Sequence, residues 1–404
     1  MGLKEKSLSM PYWCVANPVG DPFGGGVLDR LNVLETTDLL CEAKEARLIE
    51  YTSAHDDDLV PWNPENPFDD QDPQSDVYRT LKAIREKIEK VGLRFNTVSC
   101  NLHEHPLFRN GGLANPDPRV RLFAWQKVMR ALRIGAFLGA RYCTYWVARD
   151  GFECQFAVPW EKTFDFLKEG LSMVRRYVEK QKLPLQGGTI EHKPNEPRGE
   201  MFLPTVGHTL ALIGELEDPD FWGVNPEVLQ HDQMTGLTSI GSVAFALSMG
   251  KLFFLHVGNQ KPNQFDNDNP PLIGMDGIKE LISVIYLINR WGWDGVVEFD
   301  NHMLRTDATP GTQHKIEVRR EYISLTVDAY RLAERKAHAI LADEVVRIAQ
   351  EKLWRSDAKI NEILERKDLE EIASARLDYR ETLYEKIQIG YLDLLVNQKM
   401  LGDR

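Results

Sequence analysis

Residues 185–199 read Leu185-Gln186-Gly187-Gly188-Thr189-Ile190-Glu191-His192-Lys193-Pro194-Asn195-Glu196-Pro197-Arg198-Gly199. The first six form an extended apolar run that closes on a carboxylate, with an ammonium two positions further on. Side chains at i and i+2 of a strand share a face, so Glu191 and Lys193 point the same way if the extended geometry continues. A carboxylate can hold a divalent cation, and a lysine beside it can stabilise a substrate oxygen that becomes negative. Taken alone, the stronger reading is the plainer one, a surface ion pair at a strand end. The balance changes because similar clusters recur at the ends of other runs.

Eight short β-rich runs are legible, at 12–17, 48–55, 94–100, 142–148, 185–191, 221–227, 252–258 and 295–300. Between them lie segments with apolar spacing of three and four, at 81–91, 122–138, 164–178 and 278–289, which is helical periodicity. Strand–helix alternation repeated eight times predicts a (β/α)8 TIM barrel. A doubly wound sheet is the alternative, but it would carry a Gly-rich phosphate turn directly after the first strand. Gly24-Gly25-Gly26 lies too far past Asn17 for that and reads as a loop. From about His314 the strands stop, and 316–398 is rich in Glu, Lys, Arg, Leu and Ala with scattered apolar faces. Such a tail cannot make its own core. It is expected to begin as the last barrel helix and then to wrap a neighbouring subunit. The expected division is a catalytic barrel over 1–335 and a helical arm over 336–404.

The 404 residues are 43% hydrophobic and 27% charged, with a formal charge of −12, values ordinary for a globular protein. The acidic balance disfavours a nucleic-acid groove, which needs a basic footprint. The five cysteines, Cys14, Cys41, Cys100, Cys143 and Cys154, include no CxxC pair, which fits a reducing, cytoplasmic setting. The charged first nine residues do not read as a signal peptide, and no apolar run is long enough to span a membrane.

In a barrel of this kind the reacting groups sit at the C-terminal ends of the strands. The second run ends in His55-Asp56-Asp57-Asp58, and the sixth in Asn225-Pro226-Glu227 with His231 shortly after. The seventh carries His256, with Asp266-Asn267-Asp268 in the loop beyond, and the eighth ends Glu298-Phe299-Asp300 before His302. By alternation Glu298 falls inside the barrel and Asp300 at its rim. Glu191, Glu227, Asp266, Asp268 and Asp300 on one rim would repel strongly unless cations neutralise them. Oxygen ligands with one or two imidazoles suit Mg, Mn or Co better than structural zinc. The Asp266–Asp268 stretch lacks the Gly and distal Glu of a calcium loop and, by itself, would pass for a turn.

These residues resemble D-xylose isomerase of the shorter class over nearly the whole barrel. The resemblance rests on His55-Asp56-Asp57-Asp58-Leu59-Val60-Pro61, on Asp21-Pro22-Phe23-Gly24, on the 191–199 stretch with Pro204-Thr205-Val206-Gly207-His208, on Gly223-Val224-Asn225-Pro226-Glu227-Val228 and on Phe265-Asp266-Asn267-Asp268. It implies two divalent cations. One would be held by Glu191, Glu227, His256 and Asp300, and the other by Glu227, His231, Asp266 and Asp268. It further implies that His55 with Asp58 opens the sugar ring, that Lys193 binds O1, that Trp146 walls the pocket and that Phe23 is lent to the neighbouring subunit's site. No cluster of basic residues marks a phosphate clamp, so the substrate is expected to be a neutral sugar, and a homo-oligomer, dimer or tetramer, fits the family's C-terminal arm.

The chain departs from the family where aspartate is replaced by His256 and where Gln230 holds the histidine offset after Glu227, with His231 one residue later. Either of the two can face the second cation. Aromatic positions are taken by Asn17 and His103, and a basic one by His302, so the pocket is expected to be wetter and its sugar other than xylose. One rival is a sugar epimerase of the same superfamily, with Glu191 and Glu227 or Glu298 as bases. A phosphodiesterase barrel is disfavoured by the acidic charge, and a silent carbohydrate-binding descendant by the retention of so many like charges.

Overall fold

The computed structural model describes residues 4–16, 24–272, 277–355 and 357–402. Its chain divides at Leu332/Ala333 into two compact units. The first is a parallel sheet of β1 (Leu8–Ser9), β2 (Tyr51–His55), β3 (Arg94–Ser99), β4 (Tyr142–Trp146), β6 (Gly187–Glu191), β8 (Trp222–Val224), β9 (Glu227–Val228), β10 (Phe254–Val257) and β11 (Val296–Phe299). A small antiparallel pair, β5 (Gly151–Phe152) and β7 (Glu200–Met201), lies apart from it. β8 and β9 are two pieces of one strand, broken at Asn225-Pro226. β8 pairs with β6, β9 pairs with β10, and a Val224–Leu252 bridge joins the same edge. Proline cannot donate to a ladder, so the break falls where the sequence puts it. The sheet thereby closes on itself as a barrel.

Helices cover the outside, among them α2 (Val33–Glu45), α4 (Asp76–Val91), α5 (Pro118–Leu138), α6 (Trp160–Gln181) and α10 (Ile278–Trp291). Local chemistry sets their limits. Asn32 and Glu35 form a capping box on α2, and Ser75 accepts from Tyr78 N at the start of α4. Gly92 ends α4 with φ +70°, a left-handed backbone that a residue with a Cβ resists.

One expectation fails. Residues 12–16 form a short helix, α1 (Tyr12–Ala16), and the first strand is Leu8–Ser9. The apolar stretch Tyr-Trp-Cys-Val-Ala has no alternation and is equally readable as a buried helix. Pro11 decides it, because the residue before a proline is driven extended while proline itself suits a helix start. Asn17 and Phe23 lie outside the described residues.

Inside the barrel, alternation stacks side chains in layers. Tyr51, Ser53 and His55 on β2 share a face, as do Tyr142, Thr144 and Trp146 on β4, Gly187, Thr189 and Glu191 on β6, and Phe254 and His256 on β10. Tyr51, Tyr142, Phe254 and Val296 pack together as an apolar floor. Ser9, Ser53, Asn96, Thr97, Thr144, Thr189 and Glu298 form a buried polar layer, and the top layer faces the cavity. Gly188 is required by packing, since a Cβ there would lie 2.5 Å from the ring of buried Trp222.

The second unit comprises the end of α11 (Lys315–Ala342) and the short helices that follow, from α12 (Glu344–Leu353) to α16 (Ile389–Leu401). α12 packs on α16, and Lys399 pairs with Asp343 at 2.6 Å. Leu369, Leu377, Leu383, Tyr384, Ile387 and Ile389 are exposed on it.

Candidate active site

A cavity of about 280 Å³ opens at the C-terminal ends of the strands. It brings together His55, Asp58, His103, Trp146, Glu191, Lys193, Glu227, His231, His256, Asp266, Asp268, Asp300 and His302. They come from most of the barrel strands and their following loops, which explains why no single stretch of sequence contains the site.

His55 ends β2 and caps α3 (Asp56–Leu59). Its Nδ1 lies 3.1 Å from Asp58 Oδ2, which also accepts from the His55 backbone N–H at 2.9 Å. Burial pulls the His55 imidazole down, but the hydrogen bond and charge of Asp58 outweigh it and hold the ring above its ordinary pKa. Asp56 and Asp57 serve a different purpose. Lys127 is wholly buried and meets both oxygens of Asp56 at 2.8 and 2.6 Å and Asp57 at 2.9 Å. Burial and the Asp56 charge push Asp57 up to about 7, against the pull of Lys127. This ion cluster anchors the turn that presents His55.

The first carboxylate group is Glu191, His256 and Asp300. Asn225 Nδ2 donates to Glu191 Oε2 at 2.6 Å, and Trp13 Nε1 donates to Asp300 Oδ1 at 2.7 Å. His256 Nδ1 stands 3.2 Å from both Glu191 and Asp300 yet makes a well-formed hydrogen bond to neither. Its Nε2 lies 2.9 Å from Glu298 Oε1. Glu298 is fully buried, and its other oxygen accepts from Ser9 at 2.6 Å, Ser53 at 2.5 Å and Asn96 at 3.3 Å. Those donors leave the other Glu298 oxygen to accept from His256 Nε2–H. Burial pulls the imidazole down, but Glu191, Asp300 and Glu298 outweigh it and hold the ring well above its ordinary pKa. A cation between the two carboxylates would therefore take the place of the Nδ1 proton while Nε2–H stays on Glu298.

The second group is Glu227, Asp266 and Asp268, with Glu227 also grouped with Glu191 and His231. His231 begins α8 (His231–Met234), contacts Glu227 through Nε2 and lies 3.6 Å from Asp266. Gln230 turns to Asp268, donating at 2.8 Å. Burial raises Glu227 to about 8, with Asp266 and Asp300 adding to the rise and His231 opposing it. Asp268 is likewise driven well above the usual carboxylate range by burial and by Asp266. Lys193 reaches Asp266 at 2.6 Å and its ammonium is stabilised, the carboxylates outweighing its burial.

These residues fit divalent cations. Glu227 Oε1, Asp266 Oδ1 and His256 Nδ1 are buried and without a hydrogen-bond partner among the described residues, a costly arrangement for ionisable groups. Two like charges 4 Å apart cost about 4 kcal/mol at an effective dielectric of 20. The donors are oxygens and imidazoles with no thiolate, the set that Mg, Mn, Co and related ions take.

Trp13, Asn225 and Glu298 are positioning residues whose role the strand ends alone do not reveal. Trp13 was hidden by the strand reading of 12–17. Asn225 stood in a noted motif, but its aim at Glu191 is a contact across strands. A ring series crosses the cavity wall: Trp13 to His55 at 4.7 Å, His55 to His103 at 5.4 Å and His103 to Trp146 at 4.8 Å. Lys193 lies 5.5 Å over Trp146.

No family model matches the chain. The xylose isomerase of Thermus thermophilus is 32% identical over 307 residues, covering 76% of this chain and 75% of that protein. That of Thermus caldophilus is 33% identical over the same span, with the same coverage. Among solved structures, an L-ribulose 3-epimerase aligns with a TM-score of 0.55 at 14% identity over 84% of this chain and 99% of that one. A D-psicose 3-epimerase of Clostridium cellulolyticum aligns with 0.53 at 11% identity, over 83% and 99%. At such identities the solved structures show the barrel fold alone. The sequence likeness reaches further, and with carboxylates gathered at the strand ends of a closed barrel it establishes that this chain belongs to the xylose isomerase family.

Proposed function

We propose that the protein is a divalent-cation-dependent isomerase of the shorter xylose isomerase class that interconverts an aldose and a ketose. The observation that carries this reading is the convergence of the His55–Asp58 pair, Lys193 and two acidic groups on one small cavity. Glu191, Glu227, His256 and Asp300 would hold one cation, and Glu227, His231, Asp266 and Asp268 a second. When bound, such cations supply Lewis acidity to neighbouring sugar oxygens. Asp58 fixes Nδ1 of His55, leaving Nε2 to exchange a proton with the ring oxygen during opening. Lys193 stabilises O1, and Trp146 presents an apolar face that excludes water. Going from aldose to ketose, hydride then passes from C2 to C1 within the open chain while the O2 proton passes to O1, so that the carbonyl moves from C1 to C2.

The exposed apolar side chains of the unit from Ala333 support an arm that covers a neighbouring subunit, in a dimer or tetramer. Five unpaired cysteines support a cytoplasmic setting.

An epimerase reading is favoured by one observation, the grouping of Glu191 and Glu227 around a shared point, where they can act as paired proton-transfer bases. Glu298 is not a third candidate. It lies beneath the cavity with four polar partners and cannot reach a substrate carbon.

The deciding experiment strips the protein with chelator, restores Mg, Mn or Co singly, and screens aldoses and ketoses in deuterated water. Interconversion without solvent deuterium at carbon is the expected result. Heavy incorporation moves the assignment to epimerase-type proton transfer, and silence with every ion and sugar removes the enzyme reading.

A further inference from the structure

We propose that His103 is a specificity-determining residue that reads a single hydroxyl of the sugar, so that the substrate class is sugars carrying a hydroxyl where the wall between His55 and Trp146 meets them. The inference rests on the sugar-isomerase reading and names what that site selects.

His103 lines the cavity, and its Nδ1 is buried without a hydrogen-bond partner among the described residues. The neighbouring hydroxyls are already engaged: Thr97 with Thr144 at 2.7 Å, Thr144 with Thr189 at 2.9 Å, and Ser99 with the Thr144 carbonyl at 3.3 Å. The imidazole therefore stands out on this wall as polar capacity left open. Its backbone is fixed at both ends. The His103 N–H donates to Asn101 Oδ1 at 3.1 Å, and Arg149 Nε donates to the His103 carbonyl at 2.7 Å. Asn101 N in turn donates to Asp56 Oδ1 at 2.8 Å, tying the loop to the ion cluster under His55. The ring meets Trp146 at 89° and His55 at 70°, both edge to face. A ring so held offers its nitrogens in a fixed direction, which is the preorganisation that makes a hydrogen bond selective.

Burial, then the proximity of His55 and Lys127, holds His103 well below its ordinary pKa. The ring is therefore neutral, with one nitrogen donating and the other accepting. A hydroxyl can satisfy either nitrogen, whereas a C–H face satisfies neither and leaves a buried nitrogen unpaired. Sites built to bond a hydroxyl reject the analogue lacking it far more strongly than apolar pockets reject an extra methylene.

The test is a chemical double-mutant cycle. Binding of D-glucose, D-allose, D-galactose and D-xylose, and of the monodeoxy forms of each, is measured by calorimetry on metal-loaded wild type, His103→Phe and His103→Gln. Turnover is recorded in parallel. Phenylalanine keeps the edge-to-face packing and removes only the nitrogens, and glutamine restores a donor and an acceptor. Hydroxyls that meet the cations or Lys193 should carry penalties that both variants share with wild type, and we expect one deoxy position, and only one, whose wild-type penalty of about tenfold to hundredfold depends on His103. That penalty should vanish in His103→Phe and partly return in His103→Gln. If the two substitutions weaken every deoxy form as much as its parent, the assignment of His103 falls while the isomerase reading stands. If the coupling is present but no sugar turns over, the isomerase reading falls and the recognition role stands. Absence of saturable binding by all four parent sugars overturns both.

Discussion

Replacing Glu298 with glutamine tests the link between the buried polar layer and cation binding. One oxygen of Glu298 accepts from Ser9, Ser53 and Asn96, while the other faces His256 Nε2 at 2.9 Å. Glutamine has the same shape but a single carbonyl oxygen. If that oxygen faces His256, the amide N–H2 group is thrust among three donors, and the two serines must rotate to accept. If the amide faces His256, it donates to Nε2 and drives the imidazole proton onto Nδ1, the nitrogen that stands 3.2 Å from Glu191 and Asp300. An imidazole protonated there cannot ligate. Partners that orient ligating histidines are worth about 10- to 100-fold in metal affinity, equal to about 1.4–2.7 kcal/mol. Manganese titration by calorimetry at pH 7 should show that loss, with circular dichroism and the urea midpoint verifying that the variant is folded. Unchanged manganese affinity in a folded Glu298→Gln variant would refute the reasoning, because the tautomer of His256 would then be set by something other than Glu298.

Three further outcomes are expected. In Asp58→Asn, His55 loses the partner that outweighs its burial, so its pKa, followed by NMR, should fall. Because the folded pKa is raised above an unfolded value near 6.5, the pair's stabilisation is complete below that pH and fades as pH climbs through the folded value. The variant's stability deficit should therefore be largest at the acid end, and a deficit that grows with pH contradicts the assignment. Lys127→Met removes the lysine that contacts both Asp56 and Asp57 and, among the described residues, leaves only Arg130, 3.7 Å from Asp56, as a buried cation there. It should cost about 3 kcal/mol in urea unfolding, with a loss under about 1 kcal/mol counting against a structural role. Manganese at about 100 times its dissociation constant should stabilise the protein by about 2.7 kcal/mol, reversibly with chelator, and an unmoved melting curve would count against a cation site.

Strand ends were the legible part of this sequence. Seven of the eight β-runs lie on observed strands, because alternation and flanking helical periodicity are local properties. The run at 12–17 misled because an unbroken apolar stretch carries no period, and the punctuation that mattered was Pro11. The sixth run came out in two pieces since a proline within a strand removes a rung. The Asp triplet after His55 showed a cluster of charge but not its division of labour. Asp58 serves the histidine, whereas Asp56 serves a lysine 71 positions away, and that pairing exists only once α3 and α5 meet in the folded chain. The ambiguity between Gln230 and His231 had the same origin. Both turn inward, to Asp268 and to Glu227 respectively, which one-dimensional spacing cannot express.

The broken strand at Asn225-Pro226-Glu227 couples the two halves of the pocket. Asn225 grips Glu191 on one side of the break, and Glu227 belongs to the Asp266 and Asp268 group on the other. Three consecutive residues thus touch both charge traps. Because Glu227 belongs to both groups, a cation on either side would alter the charge the other side meets, so a pair of ions loaded here would depend on each other and their titration would not decompose into two independent isotherms.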